Sequence, residues 1–484
     1  MLILNGCTSL VEVHDSVGFL DKLVALDFSD CSSLKKLPRS FKLISLKVLE
    51  LEGCTSLEYF PEIECEMEHL KDLWLEGTRI QELPSSITYL TGLETLYINV
   101  CISLVHFPVN IFQLEHLQDV SITHCPNFVN FGKEVGHNGQ FVPCTQENEI
   151  SPSMELLPSR PPDSNDLFRI YNFSSSLRTL NLYGSGIVSL PPCIEGFVGL
   201  SKLDLRYCKQ LEEILYLPPN IESVDAIGCV LLERFPRVST KSSFGTPDLK
   251  RLTRINLSEC SKVEVDVGNH APDPLLVQER FREKDSSTII YPGSRIPEWF
   301  KYCKETTSLS KSIEVEIDHN ESMCFGHQIV ALVLCFVVGP LPARAFYSFT
   351  VSRNGQQIGN DGMWFWDSMD PHRVCLQYIA GNSIDEILPT SYREGNNNMR
   401  FTFENDSKKG IFKSAGVHLI YGNDNFIDPI QHSKRYRDDG EHDLEPNWNP
   451  QKKQQSSTTR IMEFKDANND LIIEDLDLER RLGN

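Results

Sequence analysis

The stretch LKVLELEGCTSLEYFP, residues 46–61, contains three leucines with the spacing of a short strand, followed by a cysteine at position 54. Its apolar and cysteine positions fit the pattern L-x-x-L-x-L-x-x-C-x-x-L-x-x-F, which begins again at residues 23, 93, 117 and 200. Copies that start at residues 70 and 177 carry Thr78 and Ser185 in place of the cysteine, and degraded copies surround Cys229 and Cys260. The cysteine position recurs at Cys7, Cys31, Cys54, Thr78, Cys101 and Cys125, in steps of 24 or 23 residues. This period predicts an array of stacked, similar coils.

The period and the leucine pattern are those of leucine-rich repeats. We predict an α/β leucine-rich-repeat solenoid whose short strands form a parallel sheet on the concave face. A cysteine such as Cys54 could bind metal, form a disulfide, act as a nucleophile or only pack. Because Thr78 and Ser185 occupy the same position and no C-x-x-C pair occurs, we predict that it packs beneath a turn as a small, weakly polar residue.

The residues between the inward leucines should point to solvent on the concave face and form a candidate protein-binding surface. Trp74 and Tyr97 hold equivalent positions in adjacent coils, so we expect neighbouring rings, and exposed aromatic residues on a rigid sheet are typical of binding hot spots. The alternative is that these are ordinary surface residues. The candidates are Asp27, Glu50, Glu52, Trp74, Glu76, Tyr97, Asn99, Asn181, Tyr183, Asp204 and Arg206, with Ser121 at the equivalent position of another coil.

Composition limits the function classes. The formal charge of −21, from 46 Lys and Arg against 67 Asp and Glu, argues against nucleic acid as the main partner. The longest apolar run, residues 329–338, is too short to span a membrane as a helix, and no signal peptide is evident at the first residues. We find no phosphate-binding loop, zinc-protease motif or nucleophile motif, and therefore predict no enzyme activity, catalytic residue, cofactor, metal or small-molecule substrate.

The repeat pattern divides the chain into segments. Repeats occupy residues 1–131 and 177–265 and are degraded at the end; between them, 132–176 is an irregular island or loop. A linker at 266–287 precedes a second domain at 288–421, and 422–484 is a polar tail that we expect to be disordered. Apolar residues alternate along several short runs of the second domain, at 313–317, 347–351, 374–378 and 399–403, and Asn354–Gly355 signals a hairpin turn. We predict an all-β sandwich without helices, in which 329–338 is the central, fully buried strand.

Repeats with a cysteine at the turn, followed by IIYPGSRIPEWF (289–300) and AGVHLIY (415–421), resemble the C-terminal half of plant TIR-NBS-LRR immune receptors. In that resemblance the second domain is their jelly-roll/Ig-like domain after the repeats, called C-JID. Pro292, Gly293, Ile296, Pro297, Trp299 and Phe300 match its motif. We interpret them as structural, with the prolines shaping a turn and Trp299 and Phe300 covering the sandwich core.

The resemblance implies a function in recognition. It implies that the repeats and the jelly roll bind a pathogen effector or a guarded host protein, in the cytoplasm or nucleus, and control upstream nucleotide-binding and TIR domains. In a full-length receptor, a contact with the nucleotide-binding domain is implied as well. The alternatives are a standalone adaptor or decoy, or the regulatory arm of a full-length TIR NAD hydrolase. Because the first coil lacks a polar cap, we expect a fragment, a truncated gene model or a derived short form.

Overall fold

The structure is a computed structural model that describes residues 1–131, 173, 175–236, 252–265, 286–317, 329–341, 345–365, 368, 370–388, 398–406 and 411–421, together with two short strands at 134–135 and 141–142. All of the described residues belong to one compact unit, Met1–Phe426. The predicted tail, 422–484, lies outside the described residues, as do most of the predicted island and all of the predicted linker except its last two residues.

The first half of the described unit is a solenoid of parallel strands. The strands of this half are β1 Leu2–Ile3, β2 Ala25–Asp27, β3 Ser40–Phe41, β4 Val48–Glu50, β5 Glu62–Ile63, β6 Asp72–Trp74, β7 Thr95–Tyr97, β8 Asp119–Ser121, β9 Glu134–Val135, β10 Phe141–Val142, β11 Thr179–Asn181, β12 Lys202–Asp204, β13 Ser223–Asp225 and β14 Arg254–Asn256. Ten of them pair in parallel in the order β1-β2-β4-β6-β7-β8-β11-β12-β13-β14, so each repeat adds one strand to one sheet. The predicted parallel sheet is confirmed.

The outer side of the coils contains much less helix than the predicted α/β class implies. Within the described repeats it consists of single 3-10 turns at Asp15–Phe19, Ser85–Tyr89, Val109–Gln113 and Pro192–Gly196, and of the two-residue strands β3 and β5, which pair in parallel. The α part of the prediction is therefore wrong for these coils. Three of the 3-10 turns start directly after a proline, at Pro84, Pro108 and Pro191, and each coil has too few outer residues for several α-helical turns.

The inward residues form one continuous apolar core. Leu46, Leu49, Leu51 and Leu57 of the opening stretch are all fully buried. The equivalent leucines of the coils from residue 23 onward are buried too, whereas Leu2, Leu4 and Leu10 of the first coil are half-buried. Cys54 is buried beneath the turn, as predicted, and the thirteen cysteines of the described part of the chain are free thiols. We call the position of Cys54 and its equivalents the ladder position; it comprises Cys7, Cys31, Cys54, Thr78, Cys101, Cys125, Ser185, Cys208, Cys229 and Cys260.

The sheet continues without interruption into the second half. Its strands are β15 Ser286–Pro292, β16 Tyr302–Ser310, β17 Ser312–Ile317, β18 Ile329–Val338, β19 Ala345–Arg353, β20 Gln356–Phe365, β21 Arg373–Ala380, β22 Met399–Asn405 and β23 Phe412–Tyr421. β15 pairs in parallel with the last repeat strand, β14, and antiparallel with β21, so that β21-β18-β23-β16 extend the repeat sheet to fifteen strands. A second, four-stranded antiparallel sheet has the order β17-β22-β19-β20.

The two antiparallel sheets share an apolar core. Phe336 of β18 and Tyr347 of β19 have ring centroids 4.3 Å apart across it, and Phe349 and Phe403 are fully buried there. The four predicted alternating runs are β17, β19, β21 and β22, and the predicted central strand is β18, which lies between β21 and β23. The hairpin is confirmed too: Asn354 and Gly355 both have positive φ angles, 50° and 83°, between β19 and β20.

Two predictions about this half are wrong. A helix, α1 Gly381–Ile387, follows β21, and its Ile384 and Ile387 are buried against the core between the sheets. Trp299 and Phe300 do not cover that core. They pack on the opposite face of the long sheet, beside His418, in the apolar cluster that continues from the repeats. The reason is the alternation of β23, whose Val417 and Leu419 point into the core between the sheets and leave His418 on the other face.

Candidate protein-binding face

The outward side chains of the repeat strands form a regular array, which we call the strand face. Its middle line, the central column, lies four residues before the ladder position. The residues of this column are register partners from coil to coil, in the order Ile3, Asp27, Glu50, Trp74, Tyr97, Ser121, Asn181, Asp204, Asp225 and Asn256. Positions two residues before and two residues after this column also point outward, because side chains alternate along a strand.

Trp74 and Tyr97 are the aromatic pair of the central column. Their ring centroids are 4.2 Å apart, with the ring planes inclined by 31°. Leu73 and Leu96, directly before them, are fully buried, so both rings stand on a rigid, packed sheet. Both side chains remain partly exposed. The expected proximity of the two rings is confirmed, and the pair offers a preformed apolar surface to a partner.

Carboxylates surround this pair. Burial, followed by the charges of Asp27, Glu52 and Asp72, raises the pKa of Glu50 above its usual range. Burial, followed by the charges of Asp119 and Asp72, raises the pKa of the Tyr97 hydroxyl as well. Asp72 and Asp119 belong to the strand face but were not among the sequence candidates, although the same alternation places them two residues before the central column. The electrostatic environment of the aromatic pair is therefore negative.

Beyond the aromatic pair, the strand face carries a neutral hydrogen-bonded group. The Asn99 side-chain oxygen accepts hydrogen bonds from the hydroxyls of Ser121, at 3.0 Å, and Thr123, at 2.8 Å, in the next coil. Ser121 itself is buried, so its hydroxyl serves this network. Asn99 is thereby fixed in orientation, and this part of the face is held by internal bonds.

A second aromatic group lies farther along the face, around Tyr183. The Arg206 guanidinium sits 5.1 Å from the centre of the Tyr183 ring and donates hydrogen bonds to both carboxylate oxygens of Asp204, at 2.6 to 3.0 Å. His124 and Tyr207 flank the Tyr183 ring at centroid distances of 4.9 and 5.4 Å. Sequence reasoning missed His124 and Tyr207, which directly precede ladder residues. The signal that could have found them is their place in the repeat. Each follows directly after the outward position that Tyr183 occupies in its own coil.

The strand face also extends farther than the sequence candidates. Asp225 and Asn256 continue the central column, and both lie four residues before a ladder cysteine, Cys229 and Cys260, which is the signal that could have found them. Burial and the charge of Asp204 raise the pKa of Asp225 to about 6, against an opposing effect of Arg206 and Arg254. Asn256 is buried, and its side-chain oxygen accepts hydrogen bonds from the backbone N–H and the hydroxyl of Ser258, so the exposed part of the central column ends near Asp225.

The eleven candidates therefore share one face, but they form three separate groups. Asp27, Glu50, Glu52 and Glu76 surround the Trp74–Tyr97 pair, Asn99 belongs to the neutral network, and Asn181, Tyr183, Asp204 and Arg206 form the third group. Among the residues that the structure describes, no cluster of three or more His, Cys, Asp or Glu side chains is arranged to hold a metal ion. No helix in the described ranges has the length and apolar character needed to cross a membrane.

Comparison with known families agrees with this architecture. Residues 41–245 match a family model described as leucine-rich repeats of RPS4B-like disease resistance proteins. The matched range contains every strand-face candidate except Asp27.

Several plant proteins are similar over longer ranges. Disease resistance protein RPS4B from Arabidopsis thaliana is 25% identical over 434 residues, which cover 83% of this chain and 35% of that protein. Disease resistance-like protein DSC1 from Arabidopsis thaliana is 28% identical over 332 residues, covering 66% of this chain and 24% of that protein. TMV resistance protein N from Nicotiana glutinosa is 30% identical over 264 residues, covering 54% of this chain and 22% of that protein. The chain thus spans only between about a fifth and a third of the length of these relatives.

Proposed function

We propose that this chain, a relative of plant disease resistance proteins with the leucine-rich repeats of that family, is the recognition part of an intracellular immune receptor. Its strand face binds a pathogen effector or a guarded host protein, in the cytoplasm or nucleus, and the chain itself performs no catalysis. The observation that carries the proposal is the Trp74–Tyr97 pair, two partly exposed rings that lie side by side on the strand face. Aromatic side chains in such settings supply most of the affinity in many protein interfaces.

The second half, in this proposal, is a C-JID domain with a jelly-roll or Ig-like sandwich. Two antiparallel sheets around one core, the central position of β18 and the motif from Pro292 to Phe300 support this assignment. Because β14 and β15 pair directly, the repeats and this domain share one sheet. A partner that contacts both would therefore meet a single rigid surface, with little ordering entropy lost on binding.

Signalling follows from differential binding. A partner can shift an equilibrium between an inactive and an active receptor only if it binds the two states with different affinity. We propose that nucleotide-binding and TIR domains, carried by the full-length protein, contact this chain in the inactive state and are released when the partner binds. The strand face would then be the sensor, and the chemistry would belong to those domains.

The test is a screen of effectors in leaf tissue. The full chain is co-expressed with a library of pathogen effectors. For each effector that the chain captures, the captured amount is measured again with the Trp74→Ala/Tyr97→Ala variant. We expect capture to fall about tenfold or more, as for the loss of a hot spot. The matched control is Tyr59→Ala/Tyr89→Ala, since these tyrosines are 64% and 47% exposed but lie outside the strand face. Capture that is equally strong with the double variant, or the absence of any captured effector, would overturn the proposal.

A further inference from the structure

The strand face is divided by charge into two unequal halves. The outward positions of β2, β4, β6, β7 and β8, including those just after each strand, hold six carboxylates and no lysine or arginine: Asp27, Glu50, Glu52, Asp72, Glu76 and Asp119. The equivalent positions of β11, β12, β13 and β14 hold two carboxylates, Asp204 and Asp225, and three cations, Lys202, Arg206 and Arg254. We call the first set the acidic half.

The aromatic pair lies within the acidic half. Trp74 is the register partner of Glu50 on one side and of Tyr97 on the other, and Asp72 precedes Trp74 by two residues on the same face. The negative charge of Asp72 contributes to raising the pKa of both Glu50 and Tyr97, after the larger effect of burial. Lys71, just before β6, is paired with Glu94, whose carboxylate oxygen lies 2.7 Å from the Lys71 ammonium nitrogen. The aromatic pair therefore has negatively charged side chains around it, and the faces of aromatic rings are themselves electronegative.

The chain contains an example of how such an arrangement is completed. In the other half, the Arg206 guanidinium lies over the Tyr183 ring and donates to both oxygens of Asp204. Aromatic ring, carboxylate and guanidinium there come from two adjacent coils. The acidic half has the ring and the carboxylates at corresponding outward positions, but its sequence places no cation among them. Arginine is suited to this role because it stacks on rings and bonds carboxylates with the same planar group.

We propose that the partner of this face supplies the missing cation: a segment rich in arginine or lysine crosses the acidic half and places a guanidinium or ammonium group over the Trp74–Tyr97 pair, beside Glu50 and Asp72. The inference rests on the proposed function and specifies the chemistry of the partner. Electrostatic complementarity of this kind accelerates association and selects against acidic partners.

The test uses the full chain and fluorescently labelled hexa-arginine as the probe, with hexa-citrulline as a neutral probe of the same shape. Binding is measured by anisotropy at low and at physiological salt. We expect Glu50→Gln/Asp72→Asn to weaken hexa-arginine binding about fivefold. Trp74→Leu/Tyr97→Leu keeps apolar bulk but removes both aromatic faces, and it should weaken binding by a similar factor. Hexa-citrulline should bind at least tenfold more weakly than hexa-arginine.

Matched controls separate a site from diffuse attraction by an acidic chain. Glu58→Gln/Glu64→Gln removes the same charge from exposed positions outside the strand face, and Tyr59→Ala/Tyr89→Ala removes exposed rings elsewhere. We expect both to leave the affinity for hexa-arginine almost unchanged. The inference would be overturned if Glu58→Gln/Glu64→Gln weakened hexa-arginine binding as much as Glu50→Gln/Asp72→Asn does. It would also be overturned if the leucine variant kept wild-type affinity, or if hexa-citrulline bound as tightly as hexa-arginine. Because Asp72 is exposed and Glu50 is only half-buried, the acid variant remains informative even if the aromatic variant does not fold.

The two proposals can fail separately. If effector capture depends on Trp74 and Tyr97 but hexa-arginine binding does not, the cationic partner is ruled out and the proposed recognition function stands. If hexa-arginine binding depends on this face but no effector is captured, the proposed immune-receptor function is ruled out instead.

Discussion

The thiol of Cys54 donates a hydrogen bond to the carbonyl oxygen of Phe28, 3.1 Å away in the preceding coil. Other ladder cysteines repeat this link at 3.0 to 3.2 Å: Cys31 to Leu4, Cys101 to Leu75, Cys125 to Ile98, Cys208 to Leu182, Cys229 to Leu205 and Cys260 to Ala226. Each thiol therefore fills the space beneath its own turn and also ties its coil to the one before it. Repeat proteins depend on such contacts between neighbouring coils.

Replacing the Cys54 thiol should destabilise the fold. We expect Cys54→Ala to lower the free energy of unfolding by about 1–3 kcal/mol, because it leaves a small cavity and removes a buried hydrogen bond. Cys54→Thr should cost less than half as much. Thr78 occupies the same position and donates within its own coil to the Leu75 carbonyl at 2.9 Å, so a threonine fills the space and leaves no unpaired hydroxyl, although it does not restore the bond to the preceding coil. Urea unfolding followed by circular dichroism gives both values.

Cys7→Ala is the control, because Cys7 holds the ladder position of the first coil and is exposed. A loss at Cys7 as large as that at Cys54 would contradict the role of the buried link. Alkylation gives a second readout: burial raises the pKa of the Cys54 thiol to about 12, so it should react at pH 8 only after unfolding.

The residue just before each ladder position adopts a left-handed backbone. In five coils it is glycine, and in the others it is Asp30, Val100, His124, Tyr207 or Glu259, with φ between 54° and 64°. Valine is the least suited of these to a positive φ because its side chain is β-branched. We expect Val100→Gly to raise the free energy of unfolding by about 0.5–1 kcal/mol, the relief of strain exceeding the added flexibility of the unfolded chain.

The reverse substitution at Gly77 is the matched test. Gly77 has φ +69°, and a Cβ built there would meet no atom closer than 3.8 Å, so a side chain is opposed by backbone conformation and not by crowding. Gly77→Val should therefore destabilise by about 1–2 kcal/mol. If both substitutions changed stability in the same direction, backbone strain would not be the explanation.

The repeats could be predicted from the sequence because their determinants are local. Leu49, Leu51 and Cys54 recur at a fixed spacing, and alternation alone then places Glu50 and Trp74 on the outer face of the sheet. Features that depend on distant contacts were not accessible in this way. The pairing of β14 with β15 depends on how the two halves meet. The face that Trp299 covers and the packing of helix α1 depend on contacts with distant strands of the second half, which no local pattern encodes.

Asp225 should make stability depend on pH. Its pKa is raised to about 6, from an ordinary value of 3.8, so the folded state favours the protonated carboxyl. The stability that this group contributes is therefore fully present below pH 3.8 and is lost as the pH rises through 6. Asp225→Asn should be more stable than the wild type at pH 7.5, by about 1–2 kcal/mol after allowance for solvent screening, with an advantage that disappears near pH 4.

Thermal unfolding of both proteins between pH 4 and pH 8 measures this difference. Asp72→Asn is the control, because Asp72 is an exposed carboxylate on the same face, and it should shift stability by less than about 0.5 kcal/mol at any pH. An advantage of the Asp225→Asn variant that stayed constant with pH would exclude titration of Asp225 as its cause.

Asp370 should hold the second half against the last coil. Its carboxylate accepts a hydrogen bond from the backbone N–H of Glu259 at 2.6 Å, across 111 residues of sequence, and the side chain is almost fully buried. Glu259 has a left-handed backbone, φ 64°, directly before the ladder residue Cys260. A charged acceptor at such a site is worth about 1.5–3 kcal/mol. We therefore expect Asp370→Ala to increase amide exchange at Glu259 by roughly one to two orders of magnitude.

The pattern of exchange distinguishes a local anchor from general destabilisation. If Asp370 holds the junction, the amides of β14 and β15 should also exchange faster, while those of β4 and β6, at the far end of the sheet, should not change. Asp370→Asn, which keeps an acceptor oxygen but loses the charge, should give an intermediate effect. A uniform increase along the whole sheet would mean that the substitution weakens the entire fold, and the Asp370–Glu259 contact would then have no special role in joining the two halves.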